Sequence, residues 1–575
     1  MSLLPSRRSR RRRSRWDTVP EDAQVLGVAR TLTSATRLLD VMRLLRPEDG
    51  IAVSYTVNPG SVFADGLADY FDGLGARVLS WREATRRRFD LAVACAVHPS
   101  MRQLDAPLLV MPHGAGYNRL VTESTGEPGA PAGLSRRELM RGRRVLPAAI
   151  GVSHEEQIDR LARTCPQAVP VARLVGDYCW DRIEQSRPRR DLYRARLGVG
   201  RGRRLVVVNS TWSEHSLLGR HPDLPARLVA ALPADEFAVA LVLHPNVWAR
   251  HSRHRVHQRL ARAMDAGLLV LPPQEGWRAA LIASDWVVGD HGSTTFYSAA
   301  LHRVLLLAAT GLDELDPASP TAALSRTAPR LDPDGDLLAQ LLAAAEQHHP
   351  RLLQAPVDGQ LAAGGEAGRR LQEVMYPFLA HRNITLPADP PVPDPVPEPN
   401  PERRVGPTAF DVTGEVLPDG SVAVRRRPVL AGEAHEDHGA HDNDESRGFL
   451  AVTEQETHRL WRSSAEVMAR TVIDGELAPA DWLRARIDSP RASLDVAVAA
   501  LAEDRCLLLL RRCGTLLEAH ARRAYGDPGP RLDPLLLGAA VQVWLNARRT
   551  AADLSGGLLV RTGPRTLDVA FTWPP

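Results

Sequence analysis

Two histidines in this chain of 575 residues stand directly after apolar runs that read as buried strands. His113 follows PLLVMP and opens the turn HGAGYN, in which Gly114 and Gly116 let the backbone approach a ligand closely. His244 ends FAVALVLH and is followed by Pro245, which stops the strand and turns the chain outward. An imidazole at a strand's carboxyl end is placed where ligands of parallel α/β folds bind. Its ordinary pKa of about 6.5 suits removal of a proton from an attacking hydroxyl. Further on, DWVVGD ends a strand at Asp290, and Gly292, Ser293, Thr294 and Thr295 open a helix. The N–H groups of a helix's first turn, joined by Ser and Thr hydroxyls, make an anion site suited to a diphosphate. An ordinary N-cap is the alternative reading, since Ser and Thr are preferred capping residues.

Such residues need a frame that carries strand ends to one edge. Between Gly50 and Gly176, short apolar runs alternate with helical segments, the signature of a parallel sheet. Strands are predicted at 51–56, 77–81, 90–97, 107–112 and 148–153, with 171–176 as a sixth. A second unit repeats the alternation at 204–210, 237–244, 267–272, 285–290 and 303–309, and helical stretches close it near residue 382. Runs this continuously apolar belong to strands buried on both faces. The expected fold class is therefore α/β, with two Rossmann-like domains over 20–176 and 177–385 and the matched histidines facing a shared cleft. Residues 386–408 are proline-rich and acidic and read as an extended, semi-rigid linker. Beyond it, 409–575 is predicted to hold a β-hairpin about Pro418, Asp419 and Gly420, then three or four amphipathic helices in a small, mainly helical domain. Within that region GEAHEDHGAHDNDESRG sets His435, His438 and His441 among carboxylates. That composition can bind a metal weakly, but no helix or strand fixes the ligands, so an acidic loop is expected.

Composition narrows the chemistry further. The chain contains no lysine, so all 72 basic residues are arginine. A Walker-type phosphate loop, a pyridoxal Schiff base and a protein kinase each need a lysine and are excluded. The five cysteines are scattered without CxxC spacing, which suggests neither a disulfide framework nor a zinc cluster. No apolar run approaches the roughly 20 residues of a membrane span, and the N-terminus lacks the apolar core of a secretory signal, so a cytoplasmic location is expected. A net charge of +4 does not mark a polyanion binder, and nucleic acid is not the expected partner. Residues 1–19 form a separate tail with seven arginines between Arg7 and Arg15, read as disordered and suited to peripheral contact with anionic lipid.

The order of these motifs is informative in combination. HG after a first-unit strand, VGDYCWDRI at the junction, LHPN, and then LIASDWVVGDHGSTTFYSAAL, over about residues 90 to 310, resembles the CDP-glycerol glycerophosphotransferase family. UDP-N-acetylglucosamine 2-epimerases are related, and both share the GT-B arrangement of two Rossmann-like domains. The resemblance implies an acceptor side in the first domain and a nucleotide donor side in the second. It implies a base at His113, and phosphates held by His244 and by Ser293 with Thr294. It matches Asp290 to the acidic residue before the hydroxyl pair, and Asp181 and Arg182 to the DR of the junction. Arg182 and Arg220 are the arginines expected to reach phosphate. Two motifs depart from the family: DHGST stands where DYSS is usual, and YCWDR replaces a proline-containing form. The implied function is transfer of a glycosyl or glycerophosphoryl group from a nucleotide-diphosphate donor to a polymeric or small acceptor hydroxyl, as in bacterial cell-envelope polymer synthesis. No cofactor beyond the donor and no metal is expected, since no DxD motif accompanies the strand-end residues. Two alternatives stand beside it. One is a nucleotide-sugar 2-epimerase, which fits HPN and Gly289 with Asp290 but lacks the acidic cluster after the diphosphate loop. The other is a non-catalytic GT-B scaffold whose appended C-terminal domain recruits a partner.

Overall fold

The structure is a computed structural model and describes residues 21–200, 202–361, 364–404, 406–430, 448–489, 493–522 and 531–574. The arginine-rich tail and the segment bearing His435, His438 and His441 lie outside the described residues. Among the described residues no helix is long and apolar enough to cross a membrane. No group of three or more His, Cys, Asp or Glu there could hold a metal ion.

The chain divides into two compact units. The first contains β1 (Ala23–Ala29), β2 (Ile51–Val57), β3 (Val78–Leu79), β4 (Leu91–Ala94), β5 (Leu108–Val110), a two-stranded ribbon of β6 (Met140–Arg141) and β7 (Arg144–Val145), β8 (Ala149–Val152) and β9 (Ala172–Leu174). Its sheet runs in the order β3-β2-β1-β4-β5-β8-β9 with every neighbouring pair parallel. That is the Rossmann order, in which the direction of winding reverses between β1 and β4. The central strand β1 is one the sequence reading did not predict. Gln24 and Gly27 interrupt its apolar run, yet Val25, Leu26 and Val28 are buried between β2 and β4.

This unit extends through Gln185 and takes back residues 314–323 and 355–395. The helix Tyr178–Gln185 therefore packs within the first unit, where the Asp181 carboxylate accepts from the backbone N–H groups of Gly365 and Ala367, at 2.7 and 2.8 Å. Among its described residues the proline-rich segment has no helix or strand but is held at several points. Arg43 pairs with Asp394 at 2.7 Å in the first unit. In the second, the Tyr193 hydroxyl donates to the Val396 carbonyl at 2.6 Å, and Glu402 bridges to Val270.

The second unit holds β10 (Arg204–Ser210), β11 (Phe237–Leu243), β12 (Leu269–Val270), β13 (Trp286–Gly289) and β14 (Val304–Leu307), all parallel, in the order β12-β11-β10-β13-β14. The winding again reverses beside the first strand, between β10 and β13. Leu205 through Val208 are wholly buried, as are Val287 and Val288, so helices cover both faces and the apolar runs have their cause.

The C-terminal region corrects the expectation of a mainly helical domain. Nine strands, β15 (Ala409–Val416), β16 (Val422–Pro428), β17 (Phe449–Thr453), β18 (Val467–Arg470), β19 (Val496–Ala502), β20 (Arg505–Leu510), β21 (Thr515–Ala521), β22 (Leu558–Thr562) and β23 (Arg565–Thr572), close into a barrel. The hairpin β15–β16 is present, with Gly420 in the left-handed region at φ 81° as its turn requires. Along the helix Pro534–Asn546, every residue from Pro534 to Trp544 is buried, and its apolar side chains join those of the barrel strands in one core. Glycines let backbone and side chains meet there. A Cβ at Gly538 would stand 2.7 Å from Val467, and one at Gly414 would stand 2.7 Å from Val543 on the helix. Strands such as VAVAALA, RCLLLL and TLLEAHA are rich in Ala and Leu, which favour helix in isolation; pairing and burial override that preference.

Candidate functional site

In the first unit, the polypeptide leaves β5 through Met111 and Pro112 and presents His113 beyond the carboxyl end of the sheet. The turn is fixed from behind. Gly116 takes φ 71°, and a Cβ there would lie 2.7 Å from the Gln157 amide. Gln360 donates to the Ala115 carbonyl. Gly114 supplies the carbonyl that accepts from Gly116 N–H at 2.9 Å. His113 Nδ1 lies 3.1 Å from the Cys95 carbonyl, an acceptor, so Nδ1 carries the proton and Nε2 keeps its lone pair. His113 is exposed to solvent. Desolvation lowers its pKa, partly opposed by the Cys95 hydrogen bond, and the charges of Arg37 and Arg119 lower it further. These effects favour the neutral imidazole, whose basic nitrogen is Nε2.

A second polar group occupies the reversal point of the same sheet, and sequence reasoning missed it. Arg30 follows β1 and donates to the Asn58 side chain, which follows β2 and is buried. Asn58 in turn donates to Ser100 Oγ at 2.8 Å, and Ser100 Oγ lies 2.7 Å from His98 Nδ1 beyond β4. Desolvation lowers the pKa of His98, with Arg30 adding to the effect. The only signal in the sequence was position. Each residue comes just after a strand, but one of those strands, β1, was not recognised.

In the second unit the predicted residues separate into an outer and an inner set. Asp290 is fully buried. Its Oδ2 accepts from Thr211 N–H at 2.8 Å and Leu217 N–H at 2.9 Å, and its Oδ1 from Gly292 N–H at 3.0 Å. It organises the loop after β10 and does not reach out to a phosphate. Thr295 is also buried and donates to Asn209 Oδ1 at 2.8 Å. Gly289 makes room for this pair, since a Cβ there would lie 2.4 Å from Thr295 Oγ1. Gly292, Ser293 and Thr294 are only partly buried and begin the helix Ser293–Ala300. Gly292 is the N-cap, and no side chain caps the helix. Its N-terminal dipole and first-turn N–H groups therefore face the reversal point between β10 and β13 without the usual capping oxygen.

His244 caps the neighbouring helix Pro245–His251, its Nδ1 accepting from Asn246 N–H at 3.1 Å. In the neutral ring the proton is then on Nε2, a donor, the opposite tautomer from His113. Its ring lies 6.4 Å from that of Trp212, on the loop that Asp290 holds. Trp212 and its neighbours Thr211, Ser213 and His215 belong to this edge, as the short polar run after a switch strand signals in retrospect; Ser213 takes φ 113°. Arg220 is exposed and bonds His215 Nδ1 at 3.0 Å.

Arg182 does not belong to this group. It is buried in the first unit, where it pairs with Asp40 and donates to the carbonyls of Asp394, at 2.9 Å, and Pro395, at 3.0 Å. Its guanidinium clasps the proline-rich segment, so the phosphate role predicted from the junction motif does not fit its surroundings.

Strand order defines a tandem of two Rossmann-like α/β domains, the second carrying a barrel. No family model matches the chain, and no curated protein matches it in sequence. Among solved structures, it is similar to the wall teichoic acid polymerase TagF, with 11% identity, a TM-score of 0.43, and coverage of 64% of this chain and 90% of that one. It is also similar to a putative UDP-N-acetylglucosamine 2-epimerase from Listeria monocytogenes, with 12% identity, a TM-score of 0.42, and coverage of 64% and 99%. Similarity to S. aureus MnaA with UDP is at 10% identity and a TM-score of 0.40, covering 65% and 100%. Likeness of this degree does not carry an activity from one chain to another.

Proposed function

We propose that the chain is a transferase that binds a nucleotide-diphosphate donor in its second unit and passes a glycosyl or glycerophosphoryl group to an acceptor hydroxyl. The observation that carries this reading is the helix Ser293–Ala300, which starts at the sheet's reversal point with a glycine N-cap and no capping side chain. Beside it stands the Nε2–H tautomer of His244, a donor suited to a phosphate oxygen. Both groups meet the negative charge that grows on the departing nucleotide. His113 supplies the complementary chemistry. Its Nε2 lone pair accepts the acceptor's hydroxyl proton as the acceptor oxygen bonds to the transferred carbon or phosphorus, and the bond to the nucleotide's phosphate oxygen breaks. No side-chain carboxylate is needed as base, which agrees with Asp290 being committed to backbone N–H groups.

A cytoplasmic location, with a polymeric or small acceptor and peripheral contact with the inner membrane face through the arginine tail, completes the proposal. Melting the full chain with CDP, UDP, GDP or ADP, and repeating the series with His244→Ala and Ser293→Ala, tests the donor site. Stabilisation by at least one nucleotide, lost in both variants, is expected. A melting temperature that no nucleotide raises would overturn the reading.

A further inference from the structure

The second unit holds a cavity that the proposed donor site does not use. It has a volume of about 310 Å³ and lies beside the edge strand β14, under the helix Leu337–Glu346. Ala299 and His302 line it from the far end of the helix whose start is the proposed phosphate site. Eight residues of helix separate the two places by about 12 Å. The volume is at the lower end for small-molecule sites.

The lining combines an apolar floor with an excess of positive charge. Leu305, Leu306 and Ala343 contribute hydrocarbon, while Arg303, Arg330 and His349 contribute donors, and no carboxylate lines the cavity among the described residues. Arg303 donates through Nη2 to the Ile282 carbonyl at 2.8 Å, whereas its Nε is buried without a hydrogen-bond partner. Arg303 thus brings positive charge to the wall of the cavity, while its guanidinium is turned toward Ile282. The charges nearby sharpen the point. Arg187, Arg190 and Arg194 all act on Arg303 along with Asp285, and that carboxylate is already paired with Arg190 at 2.6 Å and Arg194 at 2.9 Å. Arg303 therefore shares Asp285 with two arginines already paired to it, and Arg187 adds further positive charge.

The histidines add directionality. His349 Nδ1 accepts from Arg351 N–H at 3.3 Å, so its neutral ring bears the proton on Nε2 and is a further donor. His302 donates through Nδ1 to the Pro350 carbonyl at 3.1 Å, and His348 through Nε2 to the His302 carbonyl at 3.1 Å, which fixes the rim. His302 holds the left-handed conformation after the helix, φ 54°, where glycine would be free of strain.

The geometry points to a second ligand site, in which this cavity binds a small organic anion, a carboxylate or phosphate on a compact apolar body. The anionic group meets Arg330 and His349, with the charge of Arg303 behind them, and the body rests on the leucines of β14 and on Ala343. The assignment is independent of the nucleotide reading, because none of these residues belongs to the Ser293 or His244 group.

Calorimetric titration of the full chain with benzoate and with phenyl phosphate, using benzyl alcohol as the uncharged control, tests it. Saturable binding of at least one anion and none of the alcohol is expected. Preference for benzoate would assign a carboxylate ligand, and preference for phenyl phosphate a phosphate. Arg330→Ala, at an exposed position, should weaken binding at least fivefold, and Ala343→Phe, which fills the cavity, at least tenfold, while Ser293→Ala leaves it unchanged. The inference is overturned if neither anion binds, if benzyl alcohol binds as well, or if both cavity variants bind like the parent chain.

Discussion

The two strand-end histidines are equivalent in sequence and opposite in the folded protein. His113 gives its Nδ1 proton to a carbonyl and keeps a basic nitrogen, whereas His244 receives a backbone N–H and keeps a proton to donate. This difference predicts how substitutions should separate. His113→Asn should lower turnover by roughly a hundredfold or more, the usual contribution of a general base, with nucleotide affinity little changed. The pH profile of kcat/KM in the parent chain should fall on its acid limb below about 6.5, because desolvation and two nearby arginines lower the pKa of His113 and its neutral form persists further into acid. A limb above the ordinary histidine value would remove His113 as the base. At His244, glutamine retains an N–H donor and leucine does not. Titration with the nucleotide that binds should find His244→Gln closer to the parent than His244→Leu by about tenfold, as loss of one hydrogen bond to a charged group implies.

At the scale of elements, the sequence made the parallel sheets readable and concealed the barrel for one physical reason. Strands buried on both faces, such as Arg204–Ser210 and Phe237–Leu243, are continuous apolar runs flanked by helices, and no competing pattern resembles them. The positions of His113, His244 and Ser293 followed from that pattern alone. Whether a residue points outward did not. Asp290 and Thr295 share a hexapeptide with Ser293, yet they are turned inward by hydrogen bonds to Thr211, Leu217 and Asn209, which are far away in sequence. The barrel strands are harder still, since Val496–Ala502 and Thr515–Ala521 consist largely of helix-favouring residues whose extended state depends on distant partners. The barrel makes its own prediction through the glycine that admits its core helix. Gly538→Val places branched carbon against Val467 and Val498, where even a Cβ would stand 2.7 and 2.8 Å away. Overpacking of that kind should cost about 2 kcal/mol, read as a lower midpoint in denaturant with far-ultraviolet dichroism retained. A midpoint unchanged from the parent would mean that the helix is not seated against those strands.

On the scale of the whole molecule, the barrel is built into the second unit through a buried charge cluster. Arg426 on β16 pairs with Asp235, beside the start of β11, at 2.7 Å, and with Asp533, before the core helix, at 2.6 Å. Gly202, at φ 82°, and Gly563 allow the two parts to close up, since Cβ atoms there would lie 2.5 Å from Pro564 and 2.7 Å from Glu236. Burial opposes ionisation of Asp235, but its hydrogen bonds and charge contact with Arg426 outweigh this and hold the carboxyl below the usual carboxylate range. Its folded-state pKa thus lies below the unfolded value. The carboxylate contributes stability above about pH 4, and that contribution is lost as pH falls through the folded-state pKa. Replacing Arg426 with methionine leaves two carboxylates without their cation, one of them nearly buried, and should cost about 3 kcal/mol at neutral pH. Because the remaining carboxyls then gain by taking up protons, Arg426→Met should lose less stability relative to the parent at pH 4 than at pH 7. Denaturant titrations of both chains at the two pH values check this. An equal deficit at both would show that the cluster acts through packing and not through charge, and a deficit that grows on acidification would reverse the assignment of Asp235 as the ionised partner.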